Sequence, residues 1–434
     1  MARGGVPTPT RRGAVVVGAG LLLAVAGALL ESPPLVFAGA ALVALVVAVV
    51  LSLLVRGVDV VVGRRFTPSR GVAGWSAVET LTVTPRSGRA QQAALRDEVP
   101  WGRTRRSAAV PVTLEPGRTA TVTFRHPELS RGRHRVGPLH VELVESFGVA
   151  RRRVVAPGTA EFVVVPEAVD LGLARESRSL GDGARRQREH SLSGGEDDPI
   201  TREYRRGDPL RRVHWKATAR HGDLMVRQEE QHGLPSARLV LALGSAGWSD
   251  SVSSTAASVA SADSARVDVA RSDAFEWALS VVATLGVEWG HAGSVAVLGT
   301  PGGSLVARHD PDATGAWLDA LADLQLDDAS DSLAPPPAAR EPVTAVVSGL
   351  TRAELDQLGR SRAAGSTAVA LVVSPTLSFT AVGGGAGPSG AEPAAVLPPE
   401  AVAASLREAG WRVVEATPTE PVGDAVRRGG LLRG

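Results

Sequence analysis

Two apolar runs near the amino terminus leave this chain few ways to fold. Gly13 to Leu30 holds 18 residues without a charge, and Leu35 to Val55 holds 21 more. Each is close to the roughly 20 residues that a membrane-spanning helix needs. Only Glu31-Ser-Pro-Pro34 separates them, so the pair reads as a helical hairpin with both chain ends on one side of a bilayer. Arg3, Arg11 and Arg12 precede the first run, and Arg56, Arg64, Arg65 and Arg70 follow the second. The positive-inside rule then places both ends, and everything after Val55, in the cytosol of a two-span membrane protein. A rival reading makes the first run a cleaved signal peptide with a small-residue site at Ala24-Val-Ala26. It would leave the Arg-rich flank of the second run outside, against the charge bias.

At 434 residues the chain exceeds what one core usually serves, so two domains beyond the hairpin are expected. A net charge of +2 and 44% hydrophobic residues fit globular domains rather than a disordered or nucleic-acid-coating chain. Cysteine is absent, which excludes disulfides, thiolate nucleophiles and thiolate metal sites.

From Val58 to Val165 apolar residues alternate with threonine and charge: Leu81 and Val83, then Val110, Val112 and Leu114, then Val122 and Phe124. His140 to Val144 and Glu161 to Val165 continue the pattern, and Pro-Gly turns punctuate it. Period two with such turns predicts half-buried strands in a small β-sandwich over residues 56–170. Arg131 to Pro138 and Glu145 to Val149 read as turns within it, Phe147 plugging the end of the core.

Beyond residue 238 strands alternate with helices. Leu239–Leu243, Ser294–Leu298, Val343–Val347, Ala368–Val373 and Trp411–Val414 read as strands. Ala274–Trp289, a stripe of Trp317, Leu321 and Leu324, a capping box at Thr351-Arg-Ala-Glu354, and Glu400–Ala409 read as helices. That order predicts a parallel, doubly wound sheet over residues 238–434. Segments 249–272, rich in Ser, Ala and Asp, and 381–398, rich in Gly, Ala and Pro, read as mobile insertions.

The first strand of this region exits through Ala242-Leu-Gly-Ser-Ala-Gly247. A cation-binding Asp-x-Ser-x-Ser would need an aspartate there, and neither Ala242 nor Leu243 supplies one, so a metal site is degenerate and no cofactor is expected. The pattern does occur at Asp328-Ala-Ser-Asp-Ser332, but before three prolines rather than at a strand end. No phosphate loop, dinucleotide fingerprint, paired-histidine zinc motif or nucleophile elbow is present. A non-enzymatic role follows.

The remaining candidate is Arg202 to Arg220, which contains the only tyrosine, Tyr204, and the only lysine, Lys216. Seven basic side chains crowd this stretch against Glu203 and Asp208, with Trp215 and Tyr204 offering flat faces. Arg202, Tyr204, Asp208, Arg211, Arg212, Trp215, Lys216 and Arg220 are the candidate partner- or anion-binding residues. The charges can instead pair with Glu196-Asp-Asp198 and Glu229-Glu230, or catalysis can rest on His214, Lys216 and Asp208. Basic and aromatic residues do not recur at this density outside the stretch, which argues against nucleic acid.

At Arg202, Tyr204, Gly207, Asp208, Arg211 or Arg212, Val213, Trp215, Thr218, Ala219 and Arg220 the chain resembles the bacterial family called domain of unknown function 58 (DUF58). The resemblance implies an N-terminal hairpin (13–55), a β-sandwich domain, the hallmark segment (171–237) and a von Willebrand A-like (Rossmann-like) α/β domain. It also implies work beside a MoxR-like AAA+ ATPase in assembly or envelope maintenance. Glu145-Ser146 departs from the family's usual Asp-Pro turn. The expectation is therefore a membrane-anchored adaptor, with a binding module for an anionic headgroup or nucleotide as the alternative.

Overall fold

A computed structural model describes residues 3–55, 59–86, 90–101, 106–144, 148–172, 201–204, 213, 215–227, 235–248, 272–327, 341–363, 365–375 and 395–431. The chain divides into two compact units: residues 1–167 with 318–324, and residues 168–317 with 325–434.

In the first unit the apolar runs form helices α1 (Arg11–Leu29) and α2 (Pro33–Val55). Both are long and apolar enough to cross a membrane. Small residues let them touch: a Cβ on Gly20 would lie 2.9 Å from the Gly39 carbonyl oxygen, and one on Gly39 would lie 2.6 Å from the Ala24 nitrogen. Such close backbone approach is how helices associate where no hydrophobic gradient drives them. Their outer faces expose Leu22, Phe37 and Leu45.

Two short strands, β1 (Arg3–Gly4) and β2 (Thr8–Pro9), precede α1. The rest of the unit is all β: β3 (Val60–Thr67), β4 (Gly71–Val72), β5 (Ala77–Pro85), β6 (Gln91–Asp97), β7 (Val110–Leu114) and β8 (Ala120–His126). It continues through β9 (Gly132–Val136), β10 (Leu139–Val144), β11 (Ala150–Ala156) and β12 (Ala160–Val165). One sheet runs β1-β11-β10-β6-β7, with β2 also on β11; a second runs β3-β5-β8 and a third β4-β12-β9. Leu81, Val83, Val122 and Phe124 of the second sheet share a core with Leu95, Leu139, Val141 and Val154 of the first.

The turn expected at Arg131–Pro138 is a strand over most of its length. Gly132–Val136 pairs with β12, and the basic residues that disguised it stand at its more exposed positions. Phe147 and its turn lie outside the described residues.

Hairpin and sheet meet at β11. The Thr10 side chain accepts from the Gly13 N–H as helix cap and donates to the Gly148 carbonyl at 2.6 Å. Arg152 Nη1 donates to the Leu53 carbonyl at 2.8 Å, answering one of the acceptors a helix end leaves open. Val49, Leu53, Val149 and Ala150 close over the joint.

The second unit opens with Val169 and Leu171 donating to Thr284 Oγ1 (3.0 Å) and Glu288 Oε1 (2.8 Å). Strand β13 (Thr201–Glu203), helix α3 (Trp215–His221) and strand β14 (Met225–Arg227) follow. Next come β15 (Ser236–Leu241), α4 (Asp273–His291), β16 (Val295–Gly299), β17 (Leu305–His309), α5 (Thr314–Ala322, whose residues from 318 on are grouped with the first unit) and β18 (Val343–Val347). The unit finishes with β19 (Leu350–Thr351), α6 (Arg352–Arg360), β20 (Ala368–Val373), β21 (Val396–Leu397), α7 (Pro399–Glu408), β22 (Arg412–Ala416) and α8 (Val422–Gly429).

The main sheet runs β17-β16-β15-β18-β20-β22. All neighbours are parallel except β17, which returns antiparallel along β16. This edge strand and α8 were not read from the sequence. Leu324, expected on a helix, lies beyond the end of α5. Residues 249–271 and 376–394, and with them most of the expected insertions 249–272 and 381–398, lie outside the described residues. Ser272 is the N-cap of α4, and Val396–Leu397 pairs with β19.

Candidate functional site

The hallmark segment folds around a two-stranded antiparallel ribbon in which Arg202 lies opposite Val226. The Tyr204 N–H extends the ladder to the Leu224 carbonyl at 2.8 Å. Between the strands sits the short helix α3, tied back by Thr218, whose Oγ1 accepts from the Met225 N–H at 3.0 Å. Gly222, at φ +84°, ends the helix where a side chain would be strained. Sequence and hydrogen bonding thus bring Arg202 and Tyr204 against the strand that leaves α3.

The residues of this segment divide by exposure. Val213 is buried and Tyr204 half-buried, whereas Trp215 is 69% exposed and Ala219, one turn on, is also exposed. Lys216 and Arg220 lie four residues apart on α3, and Arg220 is exposed and engaged in a contact. Helical spacing sets Trp215 beside Ala219. Asp208, Arg211, Arg212 and His214 lie outside the described residues, as do the acidic flanks expected to pair with them. A bare indole on a basic helix presents apolar area and a ring that attracts cations.

A doubly wound sheet also has a crevice where its strand order reverses, here between β15 and β18. Gly247 and Gly349 face each other there, the Gly349 N–H on the Gly247 carbonyl at 2.9 Å, with no room for a Cβ on Gly247. Gly244 bridges to Asp327, and the Ser348 hydroxyl is buried without a partner. Glu354 Oε2 accepts from both the N–H (2.9 Å) and the hydroxyl (2.7 Å) of Thr351, so this carboxylate serves the capping box. Trp248 covers the strand exit, its Nε1 donating to the Ala242 carbonyl at 3.2 Å. These groups do not fit a hard cation, which needs several carboxylate or carbonyl oxygens converging on one point. Among the described residues no group of three or more His, Asp or Glu side chains is placed to hold a metal.

The β unit contains a charged cluster that the sequence pattern gave no sign of. Arg64 grips Asp97 with two bonds, Nε to Oδ2 at 2.8 Å and Nη2 to Oδ1 at 2.9 Å. Glu79 lies beside them, Oε1 at 3.5 Å from Arg64 Nε and Oε2 at 2.9 Å from His126 Nε2. All four side chains are essentially inaccessible to solvent. Burial pushes the Glu79 carboxyl up from the usual range, and the neighbouring Asp97 pushes the same way, while His126 opposes them. Shut away from solvent, the cluster offers no route for a substrate.

Residues 200–259 match the family model described as "Protein of unknown function DUF58", which carries the resemblance over the hallmark segment. No curated protein matches the chain. Among solved structures, the CARDB domain of a Pyrococcus furiosus protein is 16% identical, with 25% of this chain and 89% of that one covered and a TM-score of 0.19. A Listeria innocua beta-glucosidase is 17% identical over 25% of this chain and 16% of its own, at TM-score 0.16. The Pseudomonas fluorescens alkylpurine DNA glycosylase AlkC is 19% identical over 31% and 39%, at TM-score 0.18. Overlaps of this extent assign neither a fold nor a function.

Proposed function

We propose that this chain is a membrane-anchored, non-enzymatic adaptor whose hallmark segment docks a partner protein, a MoxR-like AAA+ ATPase by family resemblance. The observation that carries the reading is Trp215, a large apolar side chain left 69% exposed on a helix of the one segment that matches the family. Exposed tryptophans beside arginine are typical anchors of protein interfaces.

The anchor is the α1–α2 hairpin, with both chain ends and both units on the cytosolic side. Support comes from β1 and β2 pairing with β11, which requires the residues before α1 and those after α2 to lie on one side. The facing sheets of the first unit favour a β-sandwich. The order β17-β16-β15-β18-β20-β22, with one antiparallel edge strand, favours a von Willebrand A-like second domain whose metal site has degenerated.

Co-purification in mild detergent with ATP present tests the proposal. The wild-type protein is expected to retain an AAA+ ATPase, and Trp215→Ala, or Arg212→Ala with Lys216→Ala, to lose at least about tenfold of it, as interface anchors worth roughly 2 kcal/mol or more do. Absence of any such ATPase from the wild-type preparation overturns the adaptor reading. Unchanged recovery with loss of lipid or nucleotide binding transfers the segment to an anionic ligand.

A further inference from the structure

One face of the second unit's sheet is only partly covered. Val240, Ala345, Val347 and Ala370 on that face pack under α6 and α7. Toward β16 and β17 the cover stops, and a cavity of about 200 Å³ remains. Its apolar walls are Val240, Val297 and Leu358, with Leu305 on the exposed rim. Arg238, opposite Val297 in the strand register, closes one side.

Arg238 is out of place there. Its Nη1 is buried and donates to nothing, and among the described residues the guanidinium has no acidic partner. The nearest acid on the adjoining strand's lead-in, Glu341, accepts instead from the Ser236 hydroxyl. The guanidinium does not cap α6 either, because the Gln357 and Leu358 carbonyls at that helix end are taken by the N–H and hydroxyl of Ser361. A half-buried guanidinium whose Nη1 is shut in beside valine and leucine without a counter-charge is costly, whereas an aliphatic side chain at position 238 would continue the face that Val240 and Ala242 already form. A second donor stands at the same cavity. Thr300 Oγ1 accepts from the Ser304 N–H at 3.2 Å, which leaves its own hydrogen to give.

We propose that this cavity binds a small aliphatic monocarboxylate, its carboxylate held by Arg238 and Thr300 and its hydrocarbon body against Val240, Val297 and Leu358. A guanidinium fork matches a carboxylate bidentately. The volume lies below the roughly 300–1,000 Å³ of ordinary ligand pockets, which excludes a nucleotide. The apolar walls disfavour free phosphate, whose remaining oxygens would go unsatisfied.

Calorimetric titration of the full-length, detergent-solubilised protein with sodium butyrate tests this, with butanol and butylammonium chloride as the neutral and cationic counterparts. Butyrate is expected to bind and the other two not to. Arg238→Met should weaken butyrate at least about tenfold while leaving the unliganded protein as stable as the wild type or more so. Thr300→Val should weaken butyrate less. The proposal is overturned if the wild type shows no saturable butyrate binding, if butanol binds equally well, or if Arg238→Met binds butyrate unchanged. Loss of stability in Arg238→Met without ligand would equally overturn it, since the arginine would then be serving the fold.

Discussion

The two units bury their sheets by opposite means. In the β unit every second residue of β5 faces inward, from Ala77 to Pro85, and among those inward residues is Glu79. Four ionisable side chains, Arg64, Glu79, Asp97 and His126, sit together where an alternating pattern alone would put hydrocarbon. In the α/β unit all of Val343–Val347 and all of Ala368–Val373 are buried, because helices lie on both faces of a parallel sheet. A buried imidazole there, His309, has no hydrogen-bond partner at either ring nitrogen and rests edge-on against Trp317, centroids 5.5 Å apart. A core built by alternation tolerates a polar cluster in which each member has a charged or hydrogen-bonding neighbour, even though Glu79 Oε1 makes no hydrogen bond. A core built from continuous apolar runs keeps its histidine neutral.

The largest effect should come from Arg64→Met, which strands two buried carboxylates. About 3–5 kcal/mol of stability should be lost, the usual cost of removing one partner from a buried pair. Hydrogen exchange read by mass spectrometry should show it in β5 and β6 peptides and not in β18 or β20. A loss below about 1 kcal/mol would mean the cluster is solvated and the contrast between the units false.

Next comes pH, where the two units should respond with opposite sign. Burial lowers the His309 pKa below its ordinary 6.5. The unfolded chain therefore takes up a proton first, and the α/β unit should lose protection as pH falls through 6.5. The Glu79 pKa is raised above 4.5, so its contribution is full below that value and is lost as pH rises through the folded-state pKa. His309→Phe should flatten the acid-side loss in β17 and β18 peptides, and Glu79→Gln the opposing slope in β5. Parallel slopes in both units, unaffected by either substitution, would break the comparison.

The smallest effect tests a feature of the α/β unit that owes nothing to its core. Thr351→Ala removes the cap of α6 and should cost about 1 kcal/mol, detectable as faster exchange in the first turn of that helix and nowhere in the β unit.

The same contrast explains what could be read in advance. Val343–Val347 and Ala368–Val373 were legible to the residue, because a strand buried on both faces announces itself as an unbroken apolar run. The capping box at Thr351 and Glu354 was legible because its chemistry is local. Strands β3 and β11 were not, since Arg64 and Arg152 stand at positions where the alternation calls for an apolar residue, and β9 was not, since Val136 is its only buried residue. The edge strand β17 hides for a similar reason: Leu305 is exposed and the strand ends in a histidine. At the hallmark segment residue identities were legible and geometry was not. Nothing in the sequence marks Trp215 as exposed rather than buried, nor Tyr204 as the residue that carries the β13 ladder on to Leu224. Arg238 is one arginine among many, and only its surroundings set it apart.

The bond between Thr10 and Gly148 joins residues 138 positions apart. On the ribosome, at about 5–20 residues per second, the residues around Thr10 must wait roughly seven to thirty seconds before β11 emerges to receive them. Throughout that interval the first strands have no partner and the hairpin has no clasp. The joint between hairpin and sheet is therefore a late event in the life of the chain, closed only when β11 has been made.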